Sequence, residues 1–407
     1  LTLRFHRPRP DGAIFEFELA LTRTPRGGTP AAAAAGRPFP PQPEASAPTT
    51  TATEGPALDE NPDRVNGNGN GNGGEGFSFE IGRIVQEAER WGRESMRMPE
   101  ENMADLRKVL RHFQAAPITE RELGTQRQID SGTFSTVQRA TCNGAPVAIK
   151  LITKESFNHA NNQLDNNFCQ VLRGVMLELE VLTAVKHRSI TPFRGVAAYF
   201  SPDRDLQLGL VFELCDCNLY NVLHESGMRG GGLSAAQKLS IAEDVAAGLE
   251  YLHGQSILHR DLSSRNILLK DQRSRAFIAD FGCARRVLSE QGYQSTTISG
   301  SPPYMPPEQI QGDMLHTGSD VFAFGVLLWE TLSAQVPHGD LMNDIALIRD
   351  RVVAKRQKLP RLAGSDHAAA CAVVIDKALA YSVHDRPPMS SIYPALVAIK
   401  AGRWEEG

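Results

Sequence analysis

Ile257-Leu258-His259-Arg260-Asp261-Leu262-Ser263-Ser264-Arg265-Asn266-Ile267-Leu268-Leu269, followed 19 residues after Asp261 by Asp280-Phe281-Gly282, is the stretch that decides the fold. Upstream of it stand Ile129-Asp130-Ser131-Gly132-Thr133-Phe134-Ser135-Thr136-Val137 and then Val147-Ala148-Ile149-Lys150. A glycine in a tight strand-to-strand turn lets backbone N–H groups approach phosphate oxygens, and a lysine on an extended strand adds positive charge to them. Alone, that loop reads as a plain β-hairpin. Only Gly132 stands where a G-x-G-x-x-G pattern has three glycines, because Asp130 and Ser135 fill the other two places. Downstream come Pro306-Pro307-Glu308, Ser319-Asp320-Val321 and Asp385-Arg386-Pro387.

Composition narrows the setting for these motifs. With 407 residues, 41% hydrophobic and 22% charged, the chain can bury a sizeable core. A net charge of -4 removes the electrostatic case for a nucleic-acid or anionic-membrane binder. The six cysteines are scattered, with Cys215 and Cys217 the one close pair, so neither a disulfide framework nor a C-x-x-C zinc site is expected. A reducing, cytoplasmic setting follows. The longest apolar run, Val321 to Trp329, falls far short of the roughly 20 residues a membrane span needs, so none is expected in this fragment. The chain opens at Leu1 without methionine, and an upstream sensor or regulatory domain is expected before it.

Four segments follow from the pattern. Residues 1–24 alternate apolar and polar positions on both sides of Pro10-Asp11-Gly12, which predicts a β-hairpin, read as the end of a truncated upstream domain. Residues 25–76 shift to Ala, Pro, Thr and Gly and include Asn66-Gly67-Asn68-Gly69-Asn70-Gly71, the composition of a disordered linker. Across 77–117, Ile81, Ile84, Val85, Ala88 and Trp91, then Met103, Leu106, Leu110 and Phe113, predict two amphipathic helices padding the outside of the next domain. Residues 118–402 place strand signals first, with Asn143-Gly144 as a hairpin turn. Helical ones follow, with Leu239, Ala242, Val245, Leu249 and Leu252 striping Ser234 to His253. That order predicts an α+β unit.

The ordered motif set resembles the eukaryotic protein kinases over roughly Leu123 to Lys400. The resemblance implies a bilobal fold with a β-rich N-lobe and a helical C-lobe, and a reaction that moves the γ-phosphoryl of ATP, with Mg²⁺, onto protein substrates. Under it, Lys150 holds the α- and β-phosphates and Glu178, nine residues before His187, orients Lys150 through an ion pair. Asp261 accepts or orients the acceptor hydroxyl, and Asn266 and Asp280 supply oxygen ligands to Mg²⁺. Ile129, Gly132, Val137 and Ala148 line the nucleotide, with Phe212 as gatekeeper and the backbone of Glu213 and Cys215 facing the adenine edge. Arg260 gathers a phosphate on the activation segment, for which Thr296 and Thr297 are the best placed hydroxyls. Glu308 and Arg386 form a buried ion pair, while Asp320 caps the helix Val321 to Trp329 and braces the catalytic loop.

Three departures from the family pattern stand out. Asp130 puts a carboxylate near the phosphates, the 28 residues from Lys150 to Glu178 imply an insertion before the glutamate's helix, and Pro306 replaces the alanine of Ala-Pro-Glu. The acceptor signals are mixed. Ser263 stands where serine/threonine kinases have lysine, and Arg265, counted here with the catalytic residues, is where tyrosine kinases often have arginine. Against that, Gly300-Ser301-Pro302-Pro303-Tyr304 resembles the substrate shelf of serine/threonine kinases, with Ser301 in the activation segment. The mixture resembles the tyrosine kinase-like group and implies serine/threonine or dual specificity. The alternatives are a tyrosine-specific kinase and a pseudokinase acting as a nucleotide-binding scaffold.

Overall fold

Asn143 and Gly144 both have positive φ, 49° and 79°, as a two-residue hairpin turn requires. They join β5 (Thr136–Cys142) to β6 (Ala145–Ile152), the centre of the N-terminal lobe. The computed structural model describes residues 2–8, 14–20, 85–94, 100–115, 117–118, 123–124, 127–131, 136–152, 164–200, 206–225, 232–287, 292–294, 298–341, 343–362 and 366–403. The expected linker over 25–76, Gly132, Thr296 and Thr297 lie outside the described residues.

In chain order the described elements open with β1 (Thr2–Pro8) and β2 (Ile14–Ala20), paired antiparallel with Phe5 opposite Phe17. Helix α1 covers 85–94 and α2 Glu100–Ala115. Then come β3 (Pro117–Ile118), β4 (Arg127–Ser131), β5, β6, helix α3 (Leu164–Ala184), β7 (Phe193–Phe200) and β8 (Leu206–Glu213). They form a six-stranded sheet in the order β3-β7-β8-β6-β5-β4. The two-residue strand period decides what this sheet offers to the cleft. Val147, Ile149 and Leu151 are buried on one face of β6 with Ala197 and Val211, while Ala148 and Lys150, half-buried, take the other. Directly opposite residues share a face. The register Val137 to Lys150 and Ala148 to Phe212 therefore gathers all four on that second face.

Helices α1 and α2 do more than pad the outside of the lobe. Ala88, Trp91, Met103, Leu106, Val109 and Leu110 are buried in the same core cluster as Val175, Leu179 and Leu182 of α3. Their apolar stripes had to be covered, and α3 with β7 is the surface that covers α2.

The C-terminal lobe is built on helices α4 (Leu219–His224), α5 (Ala235–Gly254), α6 (Pro307–Gln311), α7 (Thr317–Ser333), α8 (Ile345–Arg349), α9 (Asp366–Ala378) and α10 (Met389–Lys400). Helix α5 starts where Ser234 and Gln237 form a capping box, each side chain bonding the other's backbone N–H at 3.2 and 3.0 Å. The stripe read from sequence, Leu239 to Leu252, is its buried face. Helix α7 is buried on all sides between α5 and α9, hence its nearly unbroken apolar run. Strands β9 (Ile267–Lys270) and β10 (Arg275–Ile278) form the hairpin that carries the catalytic-loop segment toward Asp280. No described helix is long and apolar enough to cross a membrane.

Candidate active site

Lys150, projecting from β6, reaches two carboxylates at once. Its Nζ donates to Glu178 Oε1 and Oε2 at 2.9 and 3.0 Å and to Asp280 Oδ1 at 2.8 Å. Glu178 comes from the middle of α3 and its side chain is 5% exposed, while the side chain of Asp280 is 47% exposed. Burial works against the charge on Lys150, yet the two carboxylates outweigh it and hold its pKa above the ordinary lysine value. Asp280 is pulled below the usual carboxylate range, first by the Lys150 charge. Glu180, two positions on, is exposed on another face of α3. Gly282 borders this cluster: a Cβ there would sit 3.3 Å from Asp280 Oδ1 and 3.7 Å from both Glu178 Oε2 and Lys150 Nζ.

The catalytic loop is held in an unusual backbone path. Arg260 and Asp280 have φ of 68° and 60°, the left-handed region that costs a non-glycine residue of order 1–3 kcal/mol. Asp320, buried on α7, offsets that strain by accepting the N–H of His259 on Oδ2 and of Arg260 on Oδ1, both at 2.8 Å. His253 Nε2 lies 3.0 Å from the same Oδ2. Asp320 thus bonds the backbone of the loop, whereas its expected place as the helix cap is corrected. Helix α7 begins at Thr317 with His316 as N-cap, so Asp320 lies inside the first turn with both oxygens committed to the loop.

Asp261 accepts the N–H and the hydroxyl of Ser301 on Oδ1, each at 2.8 Å. Asn266 Nδ2 donates to Asp261 O at 2.8 Å and to Oδ2 at 3.2 Å, which leaves the amide oxygen of Asn266 turned away from Asp261. The Ala279 N–H donates to Asn266 O at 2.9 Å and so ties this loop to the residue before Asp280. Burial pushes the Asp261 carboxyl up from its ordinary value, against the Ser301 hydrogen bonds that favour its charge. Glycine is required just before Ser301: Gly300 has φ 116°, and a Cβ there would stand 2.9 Å from Arg260 O.

Among the residues expected to line the nucleotide, Val137, Ala148 and Phe212 share the Lys150 face, and Phe212 packs on Phe193 with ring centroids 5.6 Å apart. Ile129 is exposed, next to a bulge in β4. The Glu213 N–H is taken by Pro192 O at 3.0 Å, and its carboxylate by Lys270 and Arg194. Burial pushes the Cys215 thiol up to about 12, so it sits there as a neutral, apolar side chain.

One expectation is redirected. Arg265, counted with the catalytic residues, has its guanidinium carbon 3.6 Å above the Tyr220 ring centroid, a stacking that commits its charge to α4 rather than to Asp261. Arg260 donates to Cys283 O at 3.0 Å and Ser299 Oγ at 3.2 Å and lies over Tyr293. Ser299 thus places an activation-segment hydroxyl on this arginine, while Thr296 and Thr297 lie outside the described residues. Glu308 and Arg386 do form the expected pair: Nη1 and Nη2 of the buried Arg386 donate to Oε1 and Oε2 at 2.6 and 2.9 Å.

Sequence reasoning missed one buried network. Glu330, fully buried at the end of α7, accepts from Tyr304 OH at 2.7 Å and Ser264 Oγ at 2.9 Å, and His224 Nε2 lies 2.8 Å from its Oε1. Four segments meet there, and nothing local in the sequence marks a helix-end glutamate as their junction.

A two-lobed fold with a lysine–glutamate–aspartate cluster in the cleft defines the class to which this chain is assigned. A family model described as protein tyrosine and serine/threonine kinase matches residues 123–396, and the chain belongs to that family. The serine/threonine-protein kinase CTR1 of Arabidopsis thaliana is 33% identical over 243 residues, 59% of this chain and 27% of that protein. The serine/threonine-protein kinase-transforming protein mos of Moloney murine sarcoma virus is 30% identical over 249 residues, 58% of this chain and 62% of that protein. The dual specificity protein kinase shkD of Dictyostelium discoideum is 27% identical over 211 residues, 52% of this chain and 26% of that protein. The chain thus spans less than two thirds of the length of each of these relatives.

Proposed function

We propose that the chain transfers the γ-phosphoryl of ATP to serine and threonine hydroxyls of proteins, with dual specificity within its range. The observation that carries this reading is the contact of Lys150 Nζ with both Glu178 and Asp280, the arrangement phosphoryl transfer needs for alignment and charge neutralisation. Lys150 then binds and orients the phosphates, Glu178 fixes the direction of Lys150, and Asp261 orients the acceptor hydroxyl and takes its proton, a contribution of about 10² to 10⁴ in rate. The apolar face of Val137, Ala148 and Phe212 receives the adenine, with the carbonyl of Glu213 and the N–H of Cys215 as its edge partners.

The donor set fits magnesium, which takes one or two protein oxygens and completes its shell with water and phosphate. Asp280, half exposed, and the outward amide oxygen of Asn266 would hold it, and when bound it neutralises charge on the phosphates. Support for a serine/threonine acceptor comes from the Ser301 contact with Asp261, from the stacking that removes Arg265 from the carboxylate, and from the serine/threonine kinases among the relatives. A scaffold without chemistry has no use for the full set of Lys150, Glu178, Asp261, Asn266 and Asp280. Cys215, Cys217, Cys283 and Cys371 are thiols outside any disulfide, which fits a cytoplasmic location. Incubation with γ-labelled ATP and a generic protein substrate, with and without Mg²⁺, tests the reading. Magnesium-dependent label in the substrate is expected, and label no higher than in the chelated control overturns it.

A further inference from the structure

We propose that α1 and α2, which precede the residues matched by the family model, hold α3 where Glu178 meets Lys150, with Asp105 as the positioning residue that links them. The proposal rests on the kinase reading above. Asp105 lies on α2 and is 8% exposed, an expensive place for a carboxylate without a partner. Its Oδ2 accepts from Arg173 Nε on α3 at 2.8 Å, and its Oδ1 from Lys108 at 3.2 Å. Around this pair, Met103, Leu106, Val109 and Leu110 are buried in one cluster with Val175, Leu179 and Leu182. Helix α2 also packs on β7, so it is anchored on the sheet as well as on the helix it touches. Helix α1 is tied to α2 where Arg107 Nε lies 3.5 Å from Glu89 Oε1.

Helix geometry says what this attachment does. Arg173 and Glu178 are five residues apart, which sets them about 140° apart around α3 and about 7.5 Å along it. One side of the helix is held by α2 while another presents Glu178 to Lys150 and Asp280. Rotation or sliding of α3 breaks both contacts together, and a misplacement of about 1 Å costs about 10² in rate at such a site. Residues outside the matched kinase region therefore set the position of a residue inside the active site, so anything that pulls α2 away lowers activity without touching the nucleotide or the substrate.

The test uses the full chain. Wild type, Asp105→Arg, Arg173→Asp and the double swap are compared for kcat and KM for ATP well below their melting temperatures. Hydrogen exchange of 164–184 is read in parallel. The single variants are expected to lose about tenfold in kcat with little change in KM. Their exchange should speed up in α3 but not in α5 or α7, and the double swap should recover most of both. Should Asp105→Arg fail to fold, the isosteric Asp105→Asn is read by exchange in its place. Single variants with wild-type kcat, unchanged α3 exchange, or a double swap no better than the worse single variant overturn the proposal. A wild-type chain that transfers no phosphate overturns the kinase reading instead, and the exchange pattern still decides whether α2 holds α3.

Discussion

Ser301 contacts Asp261 twice, donating its backbone N–H and its hydroxyl to the same oxygen, each at 2.8 Å. The carboxylate proposed to act on the acceptor hydroxyl is thereby joined to the segment that would present the substrate. Asp261 is also half-buried; desolvation pushes its pKa up, and the two Ser301 hydrogen bonds oppose that by favouring its charged form.

Ser301→Ala removes one of those bonds and raises the Asp261 pKa further. In the proposed role of Asp261, activity requires the ionised form. The acid limb of the pH profile of kcat/KM is therefore expected to move to higher pH in the variant, with the alkaline side unchanged. Superimposable acid limbs would show that the hydroxyl does not tune Asp261.

Asp280→Asn keeps a side-chain oxygen for Lys150 but removes the charge that holds magnesium, and Lys150→Met removes the phosphate contact. Both are expected to lower phosphoryl transfer by at least about 100-fold. The Asp280→Asn protein should melt as wild type does, because Asp280 is half exposed. Full activity in either variant contradicts the assigned roles.

Arg386→Ala leaves the buried Glu308 carboxylate with the hydroxyl of Ser319, 2.8 Å away, in place of a two-pronged guanidinium. A loss of about 3–5 kcal/mol in unfolding free energy is expected from denaturant titration. A change under about 1 kcal/mol would mean the pair is dispensable.

Tyr304→Phe takes one donor from the fully buried Glu330 and is expected to cost about 1–3 kcal/mol of stability. If Tyr304 acts in the stretch that resembles a substrate shelf, KM for a protein substrate should rise while KM for ATP stays constant. Equal changes in both would assign the network to stability alone.

Local patterns with a single physical solution were legible in the sequence. Asn143-Gly144 could only turn and the Leu239 to Leu252 stripe could only face a core, while the resemblance carried by the ordered motifs implied that Lys150, Asp261, Asn266 and Asp280 share one site. Choices that depend on distant partners were not. Asp320 reads as a cap because it opens an apolar run, but the helix starts at Thr317 and the loop takes both oxygens. Arg265 matches a position the family resemblance associates with catalysis, whereas the tertiary fold sets it on Tyr220. The meeting of Asp105 with Arg173 spans 68 residues and leaves no periodic trace.

Phosphoamino-acid analysis of a substrate labelled from γ-labelled ATP in the presence of Mg²⁺ addresses the central claim most directly. Phosphoserine and phosphothreonine are expected from the wild-type chain, and background label from Asp280→Asn. Phosphotyrosine alone would contradict the acceptor assignment. Wild-type label no greater than that of Asp280→Asn would contradict the assignment of the Lys150, Glu178 and Asp280 cluster as a phosphoryl-transfer site.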